Sequence, residues 1–189
     1  MKELTDYILK FGDLNKQQTD FIASKAIRMT LLKDEYFLEV GKIPMQVAFL
    51  LEGMFRFSYY NNKEEEITDY FIDEHQFITE YKKFEANVSA SEYLQAVTDC
   101  ELLVFSKKDW DEISNTIVGW DAIVNKMFKK YLLDANEKRS PVDLEDTTTR
   151  YLLFLEKYPN LANRVPLSYI ASYLGITEES LTIIRENIN

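Results

Sequence analysis

The stretch VPLSYIASYLGIT, residues 165–177, is the most informative part of this sequence. Its apolar residues recur every three or four positions, which predicts a short helix with one apolar face. The residues on that face are Leu167, Ile170, Ala171 and Leu174. Gly175 can adopt the left-handed conformation that ends a helix, and Thr177 can accept the capping hydrogen bond of the next helix. Two helices joined by so tight a turn have the spacing of a helix-turn-helix.

The second helix of this motif extends towards the end of the sequence, and its inner face is made by Leu181, Ile184 and Ile188. Before the motif, residues 147–157 have the apolar spacing of another amphipathic helix. Residues 137–146 are polar and contain Pro141, which predicts a linker. We therefore expect an all-α domain over residues 147–189, preceded by a linker over residues 139–146.

A stripe of apolar residues spaced three and four apart extends from residue 110 to residue 131. Gly119 interrupts it, which predicts a short helix ending near residue 115 and a longer helix over residues 120–138. The members of the stripe are Trp110, Ile113, Ile117, Trp120, Val124, Met127 and Tyr131. One interpretation is that the stripe simply packs on the preceding part of the chain. Ile123, Phe128 and Leu132 widen the apolar surface of the longer helix, so we expect that helix also to meet a second copy and form a homodimer.

Between residues 29 and 105, short runs rich in β-branched and aromatic residues alternate with turn residues. Residues 54–60 and 67–72 flank the turn residues Asn61 and Asn62, which predicts a β-hairpin. Short helices predicted over residues 3–28 precede the strands. Many short strands at near-regular spacing predict an antiparallel jelly roll or barrel, so the fold class is α+β. The other predicted strands are residues 36–40 and 47–51, and a second pair, residues 93–98 with 101–106.

Composition and charge limit the class of protein. The chain has 189 residues, 46% of them hydrophobic, which is enough to bury a core of ordinary size. Its apolar runs are too short to cross a bilayer and its N-terminal residues lack a signal-peptide pattern, so we expect a cytoplasmic protein without a membrane partner. The formal net charge of -10 argues against nucleic-acid binding, although it does not exclude a local basic surface.

The sequence does not indicate an enzyme, because it holds one histidine, one cysteine and no nucleophile elbow, phosphate loop or metal-ligand spacing. We predict no catalytic residue and no metal site. His75 is interpreted as an exposed turn residue, and the alternative is a spatial cluster with Asp73, Glu74 or Glu80. Cys100 is predicted to be a buried small hydrophobe, since a single cysteine cannot form an internal disulfide.

The chain resembles the Crp/Fnr family of bacterial transcription regulators over essentially its full length, and specifically the divergent Bacteroidetes branch of that family. The resemblance rests on residues 164–177 and on the stretch LLEGMFR, residues 50–56. It implies a cyclic-nucleotide-binding-like β-roll over residues 1–138, including a dimerisation helix over about residues 120–138. It further implies a helix-turn-helix domain that reads double-stranded DNA in the major groove, RNA polymerase as a partner, and an effector that shifts the dimer between states.

Family members that bind cyclic nucleotides carry a Gly-Glu pair followed by Arg-Ser or Arg-Thr. Here Thr79-Glu80 keeps only the glutamate and Ala90-Ser91 keeps only the serine. A phosphate buried without a compensating cation is strongly disfavoured, so we expect no cyclic AMP and identify no cofactor. One alternative is that the roll binds nothing, with Glu80 and Arg56 as solvated or mutually paired surface charges. For another small molecule, the candidate residues are Arg56, Glu80, Tyr81 and Ser91.

The resemblance assigns the DNA contacts to the helix-turn-helix. The candidate residues are Ser168, Thr177, Glu179, Ser180, Thr182 and Arg185. Where the family normally has arginines for guanine and phosphate, this sequence has Glu178 and Ile183. Two functions are therefore weighed: a DNA-binding regulator that senses a molecule other than cyclic AMP, and a relative that has lost DNA readout and acts as a ligand-binding or protein-interaction module. A basic surface near the motif would distinguish them, and its residues would be Lys157, Arg164, Ser168 and Arg185.

Overall fold

The computed structural model describes residues 1–140, 146–161 and 163–188. Two helices, α1 (Lys2–Ile8) and α2 (Lys16–Lys25), precede a series of strands. The strands are β1 (Ile27–Leu31), β2 (Tyr36–Leu38), β3 (Gln46–Glu52), β4 (Phe55–Tyr60), β5 (Glu66–Ile72), β6 (Phe77–Ile78), β7 (Tyr93–Ala96) and β8 (Cys100–Ser106). The other helices are α3 (Tyr81–Ala86), α4 (Lys107–Thr116), α5 (Trp120–Lys138), α6 (Thr147–Lys157), α7 (Leu167–Leu174) and α8 (Glu178–Ile188).

The strands pair antiparallel in two sheets, with the orders β1-β8-β3-β6 and β2-β7-β4-β5. Apolar side chains of both sheets fill the space between them, including Leu50 and Leu102 from the first and Phe55 and Phe57 from the second. Because side chains alternate along a strand, Arg56 lies on the outer face of β4. The β4–β5 hairpin confirms the strand pair predicted around Asn61, and the two-sheet roll confirms the predicted α+β fold class.

The second predicted strand pair is wrong, because β7 and β8 belong to different sheets: β7 pairs with β2 and β4, and β8 pairs with β1 and β3. Residues 97–99 carry the chain from one sheet to the other. Gly53 packs against this crossing with a φ of +101°, and a Cβ atom there would lie 2.5 Å from the Asp99 carbonyl oxygen. Only glycine fits so close a backbone approach at a positive φ.

Three short elements differ from the sequence prediction. The helix expected to reach Arg28 ends at Lys25, and residues from Ile27 onwards form β1, which pairs with β8. The strand β6 and the helix α3 were not predicted from the sequence. Short elements such as these are stabilised by their neighbours in the fold, and their own sequences carry little periodicity.

Helices α1, α2, α4 and α5 cover the first sheet and enclose a second apolar core. The stripe from Trp110 to Met127 is buried in this core, so it packs on the roll within one chain, as the simpler interpretation held. Ile123 is buried there as well, whereas Leu132 is 43% exposed. The surface of α5 that is free to meet a second copy is therefore narrower than the sequence predicts.

The C-terminal helices α6, α7 and α8 pack on one another and on residues of the roll. Gly175 takes the left-handed conformation (φ 65°) between α7 and α8, and the Thr177 hydroxyl accepts a hydrogen bond from the Ser180 amide at 3.2 Å. The turn and the cap predicted from sequence are thus in place, and the motif is a helix-turn-helix. Residues 141–145 of the predicted linker and Asn189 lie outside the described residues.

None of the described helices combines the length and the apolar character that crossing a bilayer requires.

Candidate functional site

Three of the four predicted effector residues lie close together at the start of α3. The Glu80 carboxylate accepts hydrogen bonds from the Ser91 amide at 2.9 Å and from the Ser91 hydroxyl at 2.6 Å. Tyr81 follows Glu80 in the chain, and its hydroxyl donates to Glu85 at 2.9 Å. The polar groups of these three candidate residues are therefore already hydrogen-bonded within the chain.

The surroundings of Glu80 are acidic. Burial, together with the nearby Asp69 and Glu80, raises the pKa of Glu92 to about 7. Arg139 acts in the opposite direction, but its own ion-pair partner is Asp69, at 3.1 Å. The carboxylates of Asp69, Glu80 and Glu92 therefore make this position electrostatically more favourable for a cation than for an anion.

Arg56, the fourth predicted effector residue, lies elsewhere in the fold. It is 2% exposed and lies beneath α7, with the Tyr169 ring centroid 3.8 Å from its guanidinium carbon. The interpretation of Arg56 as a surface charge or as a partner of Glu80 is wrong. Alternation along β4 directs Arg56 away from the roll interior, and the helix-turn-helix covers the face that it occupies.

The Arg56 guanidinium is held by side chains of both neighbouring strands. It donates to Gln95 at 2.8 and 2.7 Å, to Thr68 at 3.0 Å and to Glu66 at 2.6 Å. A charge taken out of water needs such a full set of partners. No local pattern indicates this cluster, because its members come from three strands and are brought together only by strand register and by α7.

Helix α7 also contacts the edge strand β5 directly. The Ser172 hydroxyl donates to the Glu66 carbonyl at 2.8 Å and accepts from the Thr68 amide at 2.9 Å, so one side chain satisfies two backbone groups of the edge. The Tyr169 hydroxyl donates to Asp34 at 2.9 Å. We call the cluster of Arg56, Glu66, Thr68, Gln95, Tyr169 and Ser172 the α7–roll interface. It fixes the first helix of the motif on the outer face of the second sheet.

Most of the predicted DNA-contacting residues lie on the solvent-facing side of helix α8. Glu179, Ser180 and Thr182 are exposed, Arg185 is half-buried, and Thr177 caps the helix. Ser168, on the first turn of α7, is exposed too. The six candidates therefore lie on the two helices of the motif and at the cap between them, and their role in DNA contact stays a prediction.

The surface of α8 is acidic, since the helix carries Glu178, Glu179 and Glu186. Hydrogen bonds from its own backbone amide and from Thr177 lower the pKa of Glu179, so this residue is ionised at neutral pH. Two of the four residues proposed for a basic surface are engaged within the chain: Arg164 pairs with Glu74 at 2.5 Å, and the Lys157 ammonium donates to the Arg139 carbonyl at 3.1 Å. Arg185 is thus the principal cation that α8 offers to an anionic partner.

His75 and Cys100 occupy the places expected for structural residues. His75 is exposed in a turn with a φ of 65°, and Cys100 is buried between the sheets. Within the described ranges, no three histidine, cysteine, aspartate or glutamate side chains are grouped so that they could hold a metal ion.

Comparison with known proteins gives matches among solved structures alone: no protein-family model and no curated protein matches the chain. The c-di-GMP responsive global regulator CLP of Xanthomonas campestris has a TM-score of 0.72 and 16% identity, over 92% of this chain and 91% of CLP. FixK2 from Bradyrhizobium japonicum has a TM-score of 0.67 and 15% identity, over 86% of this chain and 84% of FixK2. A Crp/Fnr family regulator from Eubacterium rectale has a TM-score of 0.66 and 15% identity, over 95% and 85% of the two chains. The chain therefore has the fold of the Crp/Fnr regulators, a cyclic-nucleotide-binding-like β-roll followed by a helix-turn-helix.

Proposed function

We propose that this protein is a DNA-binding transcription regulator of the Crp/Fnr type, from the Bacteroidetes branch of that family, acting in the bacterial cytoplasm. The observation that carries the proposal is the helix-turn-helix, with its capped and solvent-facing α8, at the end of a sensor-type roll. CLP, FixK2 and the Eubacterium rectale regulator share this two-part fold over most of their length. Nothing in the proposal requires catalysis, and RNA polymerase is the further partner expected if the protein activates transcription.

In this proposal, residues 1–138 are the sensor domain, residues 139–146 the linker and residues 147–189 the reader. Two copies associate through α5, so that the two α8 helices can read a palindromic site. Support for this arrangement comes from the outer face of α5, where Leu132 and Leu133 are 43% and 57% exposed and Phe128 is half-buried. Apolar side chains at this spacing gain free energy when a second helix covers them.

DNA recognition would rely on few charges. Arg185 would supply the guanidinium, Ser180 and Thr182 hydroxyls can bond to bases or phosphates, and Glu179 can accept from cytosine. Each lysine or arginine bound to phosphate releases counterions and steepens the salt dependence of binding. Because α8 is acidic, the affinity of this protein for its DNA site is expected to fall less steeply with salt than that of proteins with a basic recognition helix.

The test is fluorescence anisotropy with labelled duplexes from the upstream region of the protein's own gene, at low and at moderate salt. Arg185→Ala is expected to weaken binding by at least about tenfold, the effect of losing one bidentate base contact. Arg28→Ala is the matched control, because Arg28 is an exposed arginine on β1 of the first sheet, whereas the helix-turn-helix packs on the second sheet. Equal loss in both variants, or no binding by the folded wild-type dimer even at low salt, would overturn the proposal.

A second function is favoured by one observation: Ile183 is 58% exposed in the middle of the acidic α8. An exposed apolar side chain on a helix that carries Glu178, Glu179 and Glu186 suits a protein partner with a basic rim better than it suits DNA. In that case the chain would be a ligand-binding or protein-interaction module. Absence of DNA binding, together with an Ile183-dependent complex with a protein partner, would support this reading.

A further inference from the structure

A narrow cavity opens between α5 and the parts of the roll and helices that it covers. It has a volume of about 40 Å³ and lies outside the roll interior. We call it the aromatic slot, and it is lined by Tyr7, Val47, Gln76, Phe77, Thr79, Tyr81, Trp110, Val124, Met127, Phe128, Tyr131 and Asp134. A buried water takes roughly 10–15 Å³ of such a cavity, so the space suits a group of a few heavy atoms and is far too small for a nucleotide.

Aromatic rings in mutual contact make up much of the lining. On one side, the ring of Phe77 lies 5.8 Å from that of Tyr7 and 5.7 Å from that of Trp110. Another series runs from Tyr81 to Phe128 at 4.9 Å and from Phe128 to Tyr131 at 6.1 Å. Edge-to-face, tilted and stacked contacts restrict the orientations of these rings, so the lining is largely preorganised.

One charged side chain, that of Asp134, lies among the residues lining the slot. Its carboxylate is partly exposed and pairs with Lys130 of the same helix at 2.5 Å. Such an exposed pair contributes little free energy, so a cation in the slot can compete with Lys130. The polar groups of Thr79 and Tyr81 already have partners, since Thr79 donates to the Gln46 carbonyl and Tyr81 to Glu85. Asp134 is therefore the group best placed to select a ligand by charge.

We propose that the aromatic slot binds a small alkylammonium cation, such as the trimethylammonium head group of choline. The faces of Trp, Tyr and Phe carry negative partial charge and attract cations, and a quaternary ammonium is poorly hydrated and so loses little on leaving water. Asp134 supplies the compensating charge at the slot. The combination of several aromatic rings, one carboxylate and a volume of a few heavy atoms fits this class of ligand better than an anion or a planar nucleotide base.

The role of this cation as an effector rests on the regulatory function proposed above, whereas its binding does not. Helix α5 contributes five of the residues that line the slot, and the remaining ones belong to the roll and to the helices packed on it. A ligand held between them would fix the position of α5, the helix through which two copies are proposed to associate. Binding would in that way favour dimers in which α5 keeps that position.

The binding experiment uses the full-length protein and tryptophan fluorescence. Trp110 lines the slot, and the ring of the second tryptophan, Trp120, has its centroid 5.5 Å from that of Trp110. A cation in the slot is therefore expected to change the tryptophan emission. Choline and tetramethylammonium should give saturable titrations at constant ionic strength. The neutral isostere 3,3-dimethylbutan-1-ol should bind at least about tenfold more weakly, because it lacks the charge. Equal binding of the neutral isostere, or no saturation with either cation, would overturn the proposal.

Variants locate the site. Asp134→Asn is expected to weaken choline binding by about tenfold, the effect of removing an interaction of about 1.4 kcal/mol. Asp111→Asn is the matched control, since Asp111 forms an equivalent exposed pair with Lys107 on α4 and does not line the slot. If both variants bind choline like the wild type, the site is elsewhere and the proposal fails. The anisotropy assay with DNA separates the two hypotheses, because choline binding without DNA binding refutes only the regulatory function.

Discussion

Replacing Arg56 with methionine is expected to destabilise the protein by about 3 kcal/mol. Loss of one partner from a buried ion pair costs about 3–5 kcal/mol, mainly because the other groups stay buried without a partner. Arg56 is 2% exposed and makes four hydrogen bonds, and its removal leaves Gln95 and Thr68 buried. The Glu66 side chain is 27% exposed, so water can partly solvate its carboxylate. The cost therefore falls at the lower end of that range.

Urea unfolding at pH 7, followed by far-ultraviolet circular dichroism and by tryptophan fluorescence, measures this change. Coincident transitions with the two probes are needed before a single free energy of unfolding is assigned. Arg28→Met is the control, because Arg28 is an exposed arginine on β1 and surface substitutions usually change the stability by less than about 0.5 kcal/mol. A difference below about 1 kcal/mol between the two variants would refute the argument that the buried Arg56 cluster stabilises the fold.

A double-mutant cycle tests whether Arg56 joins the two parts of the chain. Tyr169→Leu removes the aromatic face that covers the guanidinium, 3.8 Å away. Desolvated cation–π contacts contribute about 1–2 kcal/mol, so Arg56→Met and Tyr169→Leu are expected to be non-additive by about that amount. Additive effects would mean that the stacking contributes no free energy and that the α7–roll interface depends on its other contacts.

Three further changes test other parts of the structure. Ser172→Ala is expected to lower the free energy of unfolding in urea by about 1–3 kcal/mol, because it leaves two backbone groups of β5 unpaired. Ser168→Ala is the control: this exposed serine should change the stability by less than about 0.5 kcal/mol. Equal costs of the two variants would contradict the hydrogen bonding described for Ser172. The pKa of Glu92 is raised from 4.5 to about 7 in the folded protein, so its contribution to stability is present below pH 4.5 and is lost as the pH rises to 7. Glu92→Gln should therefore be more stable than the wild type at pH 8, by about 1–2 kcal/mol after allowing for solvent screening. A gain that does not depend on pH would show that Glu92 is not the titrating group. Gly53→Ala should lower the stability by about 2 kcal/mol or more, since it adds a Cβ atom 2.5 Å from a carbonyl oxygen at a positive φ, and a wild-type unfolding midpoint would show that this backbone approach is not tight.

Local signals in the sequence were sufficient for most of the helices and for the β4–β5 hairpin. Gly175 and Thr177 marked the turn of the helix-turn-helix, and an apolar stripe with a glycine in it predicted the boundary between α4 and α5 to within two residues. These features depend on residues three or four positions apart, whose interactions are set by backbone geometry alone. The fold class followed from the same signals, because runs of strand residues between helical segments leave few architectures open.

The tertiary structure decided which distant residues meet. Side chains that alternate along a strand place Arg56 and Phe57 on opposite faces, but alternation does not show that α7 covers Arg56 or that β7 and β8 lie in different sheets. The aromatic slot likewise brings together rings from α1, β6, α3, α4 and α5. In the sequence, each of these aromatic residues looks like an ordinary core residue. Strand pairing and helix packing depend on contacts between residues that are far apart in the sequence. Periodicity indicates which face of an element is apolar, but it does not show which element covers that face.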